Sequence, residues 1–116
     1  TNCVNELKTL LKEYSKIPAK PELSENYIRW FPHRISFDSS TDSLGTYIQN
    51  DILDAVNQLI SGEDHDAILG KLLKYAHIQR IRPHELVAKK TNLSLSTYYR
   101  YLNKALERLY QVLVQK

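Results

Sequence analysis

Apolar residues recur at helical spacing along most of the chain, and where that spacing lapses the sequence supplies prolines, a glycine or a run of small polar residues. Val4, Leu7, Leu10, Leu11 and Tyr14 mark one face of an amphipathic helix predicted over residues 3–16, with Glu6, Lys8, Lys12 and Glu13 left wet. Pro18 and Pro21 break it, and residues 24–31 support only a short helix before Pro32. Residues 37–43 form a polar loop that ends in good helix-capping residues. Leu44, Tyr47, Ile48, Ile52, Val56, Leu59 and Ile60 then predict a helix over about residues 43–61, closed by Gly62. Asp64 or Asp66 starts the next helix, whose stripe is Ile68, Leu69, Leu72, Leu73 and Ala76. The chain is therefore expected to be all-α, a helical bundle of five or six helices with an irregular segment near residues 17–42.

The last third of the pattern is the most specific. Pro83 can occupy a first helical position, where its missing N–H costs nothing, and the helix it opens ends near Thr91. Asn92 tolerates the left-handed conformation needed to leave that helix, Leu93 plugs the space beyond it, and Ser94 caps the next helix. In that final helix Tyr98, Leu102, Ala105, Leu106, Leu109 and Leu113 share the inward face. Val112, Leu113 and Val114 prolong it, so its C-terminal half needs burial against the N-terminal helices or a second copy.

The outward ridge of the same helix carries Ser96, Arg100, Asn103 and Glu107, flanked by Tyr99 and Lys104, with Thr97 near the capped end. An Arg can bond guanine O6 and N7 together, an Asn can do the same to adenine N6 and N7, and small hydroxyls permit close approach to the backbone. On this reading a recognition helix near residues 95–107 enters a major groove, with Arg100, Asn103, Ser96 and Tyr99 reading it. Thr97, Lys104, Lys89, Lys90 and Arg82 hold phosphates. His84 sits among the latter group.

The segment from about residue 67 to 113 resembles the helix-turn-helix of the promoter-binding C-terminal domain of bacterial sigma factors and of LuxR-type DNA-binding domains. Glu85, Leu86, Val87, Ala88, Leu93, Ser94, Thr97, Tyr98, Ala105, Leu106 and Leu109 carry the resemblance. Asn92 stands where those families usually have glycine, and Tyr98 where Val is common. The resemblance implies duplex DNA as partner and, by analogy, contact with RNA polymerase.

Charge distribution adds to this picture. Residues 1–62 hold six Lys/Arg against eight Asp/Glu, and residues 63–116 hold ten against five. The basic part, 63–116, thus coincides with the motif, as a footprint for phosphates should. A solubilising basic face is the plainer alternative. The acidic part, 1–62, is read as a helical arm and scaffold offering dimerisation or a protein contact. A homodimer is the simplest way to read two half-sites.

Other chemistry finds little footing. Cys3 alone excludes an internal disulfide and a Cys-rich zinc module, leaving a reducing, cytoplasmic setting as the default. His33, His65, His77 and His84 are scattered, the three glycines make no phosphate loop, and Asp51 and Asp54 are the exposed carboxylates of a helix face. No cofactor, metal or catalytic group is expected, and no apolar run approaches a membrane span. Tyr27, Ile28, Trp30 and Phe31 form an aromatic cluster better suited to a core than to stacking on bases. The chain begins without Met, which raises the expectation of a longer natural chain. The leading expectation is a bacterial or phage transcription regulator that binds duplex DNA and is not an enzyme. The alternatives are a phage DNA-packaging or assembly protein with an accessory helix-turn-helix, and a helical bundle that binds only protein.

Overall fold

A computed structural model describes residues 2–36 and 44–115. Six α-helices occur among them: α1 (Asn2–Lys12), α2 (Pro21–Trp30), α3 (Leu44–Ile60), α4 (His65–Leu73), α5 (His84–Lys90) and α6 (Leu95–Val114). Short 3₁₀ turns at Tyr14–Ala19 and Pro32–Arg34 and a π-helical turn at Lys74–Ile78 join them. There are no strands among the described residues. The all-α expectation is met, and no helix there is long and apolar enough to cross a membrane. The predicted 37–43 loop lies outside the described residues.

The first helix is shorter than its apolar spacing predicts, and Pro18 explains why. An α-helical path through residue 18 would pair its N–H with the carbonyl of Tyr14, and proline has no N–H to give. The chain tightens into a 3₁₀ path instead, with Glu13 bonded to Leu10 O at 3.1 Å and Lys16 to Glu13 O at 2.8 Å. The stranded Tyr14 carbonyl accepts from Gln49 Nε2 at 2.8 Å, and the Tyr14 hydroxyl donates back to Gln49 O at 2.8 Å. Here α3 takes over a bond that α1 has lost. At the same junction a Cβ on Gly45 would fall 2.4 Å from Pro18 Cα, so only glycine lets α3 start there.

Pro21 opens α2 rather than merely ending what precedes it, and most of the described part of the segment expected to be irregular, 17–36, is helical or in 3₁₀ turns. Proline at a first helical position forfeits a bond that would not have formed. Tyr27 and Phe31 are fully buried, with ring centroids 5.2 Å apart, so the aromatic cluster serves the core. Asp51, expected to be an exposed carboxylate, instead takes Arg34 in a two-point pair at 2.7 and 3.2 Å and accepts the Tyr27 hydroxyl. Burial and then Asp51 push the Tyr27 phenol far above its ordinary range.

Between α3 and α4 the backbone departs from the predicted glycine exit. Gly62 does not adopt a positive φ; Asp64 does, at 53°, immediately before α4. Asp64 makes no side-chain cap, and Asp66 in the first turn binds Arg108 of α6 through both oxygens at 3.0 and 3.2 Å. A Cβ on Gly70 would lie 2.7 Å from Ile60 N, a measure of how closely α3 and α4 approach. One apolar core runs from Leu7 of α1 through α3 and α4 to Leu113 of α6.

Candidate nucleic-acid interface

The C-terminal helices are joined by a turn held by backbone and side-chain hydrogen bonds. Asn92 has φ 60°, its N–H bonds Lys89 O at 3.1 Å, and Leu93 N–H bonds Ala88 O at 2.8 Å. That pair of bonds is the Schellman ending, which needs one left-handed residue just past the helix. Asn supplies it where glycine would be cheaper. Leu93 packs against the core, and Ser94 Oγ accepts from Thr97 N–H at 3.3 Å to begin α6. Pro83 stands one residue earlier than predicted, because its ψ of 169° is extended and helical geometry starts at His84.

All six predicted inward residues of α6 are buried. Tyr98 is the least expected of them, since its hydroxyl must find a partner inside. It finds His84 Nδ1 at 2.6 Å, which fastens the start of α5 to the start of α6. The rings of His84, Tyr98 and Tyr99 pack with centroids 5.1–5.5 Å apart. Desolvation first, and then the nearby Arg82 charge, hold His84 below its ordinary pKa, so it is neutral at neutral pH. A His at a helix start and a Tyr in the next helix were both visible in the sequence, but nothing in their spacing announced the pair.

Ser96, Arg100, Asn103 and Lys104 are exposed on the outer side of α6, as is Tyr99 at 44 %. Arg100 and Lys104 both stand about 5.9 Å from the Tyr101 ring centroid. Lys89 and Lys90 are exposed at the end of α5, with the Lys90 ammonium 5.3 Å from the Tyr75 ring. Two residues are less free than the sequence suggests. Thr97 is half-buried and accepts from Ser94 Oγ at 2.9 Å, which makes it part of the cap. Arg82 is exposed, yet its Nη1 donates to Ala76 O at 2.9 Å and Ile81 O at 3.0 Å, leaving only the rest of its guanidinium for a phosphate.

The three ion pairs among the described residues use Lys20, Arg34 and Arg108. None of the predicted interface cations is neutralised in this way. Sequence reasoning missed Lys8 and Lys12, which looked like the wet side of a remote helix. Because α1 packs along α6, both line a cavity with His77, Arg82 and His84, and Tyr99 and Asn103 border it. No group of His, Cys, Asp and Glu among the described residues is arranged to hold a metal. No family model matches the chain, and no curated protein or solved structure does either.

Proposed function

We propose that the chain is a sequence-reading duplex DNA-binding module in which α5, its turn and α6 act as a helix-turn-helix of the sigma-factor or LuxR type. The observation that carries this reading is the outer side of α6. Its first half exposes Ser96, Tyr99, Arg100 and Asn103, and no carboxylate pairs with Arg100, Lys104, Lys89 or Lys90. An Arg and an Asn three residues apart, held on a helix packed firmly from behind, can present paired donors and acceptors to base edges. Lys89, Lys90 and Lys104 supply sequence-independent phosphate contacts.

Transcription regulation is the biological role that fits such a module, with residues 1–62 free to contact RNA polymerase or a second copy. The case for a dimer rests on half-site symmetry alone. The C-terminal half of α6 finds its cover within the chain, where Tyr110 meets Phe31 at 5.8 Å and His33 bonds Leu113 O at 2.8 Å.

Selection of bound fragments from random duplex DNA tests the reading. We expect a defined motif that Arg100→Ala or Asn103→Ala weakens by ~1–3 kcal/mol at particular base positions. Lys89→Ala should weaken every sequence alike and flatten the salt dependence. Weak, salt-sensitive binding with no motif, unchanged by either α6 substitution, would overturn it. The exposed Leu86 and Leu95 beside the turn would then favour a protein-binding bundle.

A further inference from the structure

His77 is 3 % exposed, and neither of its ring nitrogens has a hydrogen-bond partner. Few buried polar groups in folded proteins are left so, and each exception calls for a reason. His77 lies in the π-helical turn Lys74–Ile78, a geometry that is rare and concentrated at functional sites. It also lines a cavity of about 260 Å³ between α1, that turn and α6.

The walls are of one sign. Lys8 and Lys12 come from α1 and Arg82 from the approach to α5, the neutral His84 ring at the start of α5 stands beside them, and no carboxylate lines the space. A larger cavity of about 700 Å³ between α1 and α6 shares Lys8 and Asn103, but it is more open, includes Glu107 and has no unpaired buried group. The smaller one therefore combines what an anion requires: cations at the rim and an unsatisfied polar group at the floor. A neutral imidazole offers one N–H donor and one lone pair. A full match needs a ligand with an anionic oxygen and a hydroxyl. The volume corresponds to roughly nine waters at about 30 Å³ each, room for on the order of ten heavy atoms.

We infer that this cavity binds a small hydroxyl-bearing phosphate ester, its phosphoryl group held by Lys8, Lys12 and Arg82 and its polar remainder paired with His77. Tyr99 and Asn103 of α6 border the same space, so the ligand would lie against the helix assigned to DNA. The inference stands without that assignment, because it uses only the cavity and its lining.

The test is titration of the chain with glycerol 3-phosphate, followed by calorimetry and by NMR of the His77 ring at constant ionic strength. Inorganic phosphate, glycerol and a short DNA duplex serve as separate arms. We expect saturable binding at least tenfold tighter than that of inorganic phosphate or glycerol, with the His77 ring resonances shifted. Lys8→Ala and Lys12→Ala should each weaken it at least fivefold while circular dichroism stays unchanged. His77→Gln should remove the preference for the ester over inorganic phosphate. Three results would each overturn the proposal: no saturation, equal binding of ester and inorganic phosphate without a His77 shift, or full affinity in the Lys8 and Lys12 variants. Duplex DNA that shifts Lys8 and Lys12 and competes for the rim, with no ester reaching His77, would overturn it too and assign those lysines to the nucleic-acid backbone.

Discussion

The two halves of α6 share one continuous inward stripe and differ in almost everything else. In the second half Arg108 binds Asp66 through two bonds, and the Leu113 carbonyl accepts from His33 Nε2 at 2.8 Å. Around the first half the Tyr98 hydroxyl and the Ser94 cap find partners, but the outer side does not meet a carboxylate. Arg100 and Lys104 have no carboxylate, Tyr99 and Asn103 border a cationic cavity, and His77 on its far side has two unpaired nitrogens. Polar groups that folding leaves unsatisfied cost stability, and natural proteins retain them where a ligand supplies what the fold withholds. One end of the helix thus ties its outer side to the rest of the molecule, while the other leaves its outer side exposed.

The largest test of that division removes core volume from each half. Leu109 is fully buried, whereas Leu102 is 7 % exposed and already borders the cavity. Leu109→Ala should cost roughly 2–5 kcal/mol through lost transfer energy and a new void. Leu102→Ala should fall at or below the lower end, since part of its surface has no packed neighbour to lose. Urea midpoints compared at constant slope would show this. Equal losses would mean that the two halves are packed alike.

Next in size is an acid effect at His77. Burial first, then the charges of Arg82, Arg80 and Lys8 with a smaller share from His84, lower its pKa from 6.5 to about 4. The unfolded chain therefore takes up a proton that the folded chain refuses, so folding loses stability as pH falls from 6.5 towards 4 and keeps it above that window. A pKa lowered from 6.5 to about 4 corresponds to about 3 kcal/mol lost by pH 4. His77→Leu should abolish this part of the acid limb and leave the ligand-free protein no less stable at pH 7, because it removes two unpaired nitrogens. Parallel stability curves for the two proteins between pH 7 and 4 would sink the account.

How much of this was legible beforehand depended on whether a feature is local in the chain. The apolar stripe of α6, the Asn92 turn and the Ser94 cap are consequences of residues within one or two helical turns of each other, and the structure agrees with each. Misses occurred where distant segments meet. Asp51 reads as a surface carboxylate until Arg34 and Tyr27 close over it, and Lys8 reads as solvated until α1 lies beside α6. Pro18 and Pro21 read as breakers in the sequence, although at one the stranded Tyr14 carbonyl is taken up by Gln49 and the other starts a helix. The exposed outer residues of α6 were predictable from spacing. The cavity behind them was not, because it joins three elements far apart in sequence.

The smallest expected effect separates two arginines that composition cannot tell apart. Arg108 and Arg100 lie eight positions apart on α6, about 80° apart around the helix, but only Arg108 holds a partner on another helix. Its pair with Asp66 is about one-third exposed on each side, and a pair so placed contributes no more than about 1 kcal/mol even with two-point geometry. Arg108→Ala should therefore lower stability by about that amount, and Asp66→Ala should lower it similarly, with a double-mutant cycle returning the shared part. Arg100→Ala should move stability by less than about 0.5 kcal/mol, since its contacts are a 3.5 Å approach to Thr97 and the Tyr101 ring face. If Arg100 proved the costlier loss, its side chain would be part of the scaffold, and the contrast between a built half and an outward-facing half of α6 would fail at the residue on which the proposed DNA reading most depends.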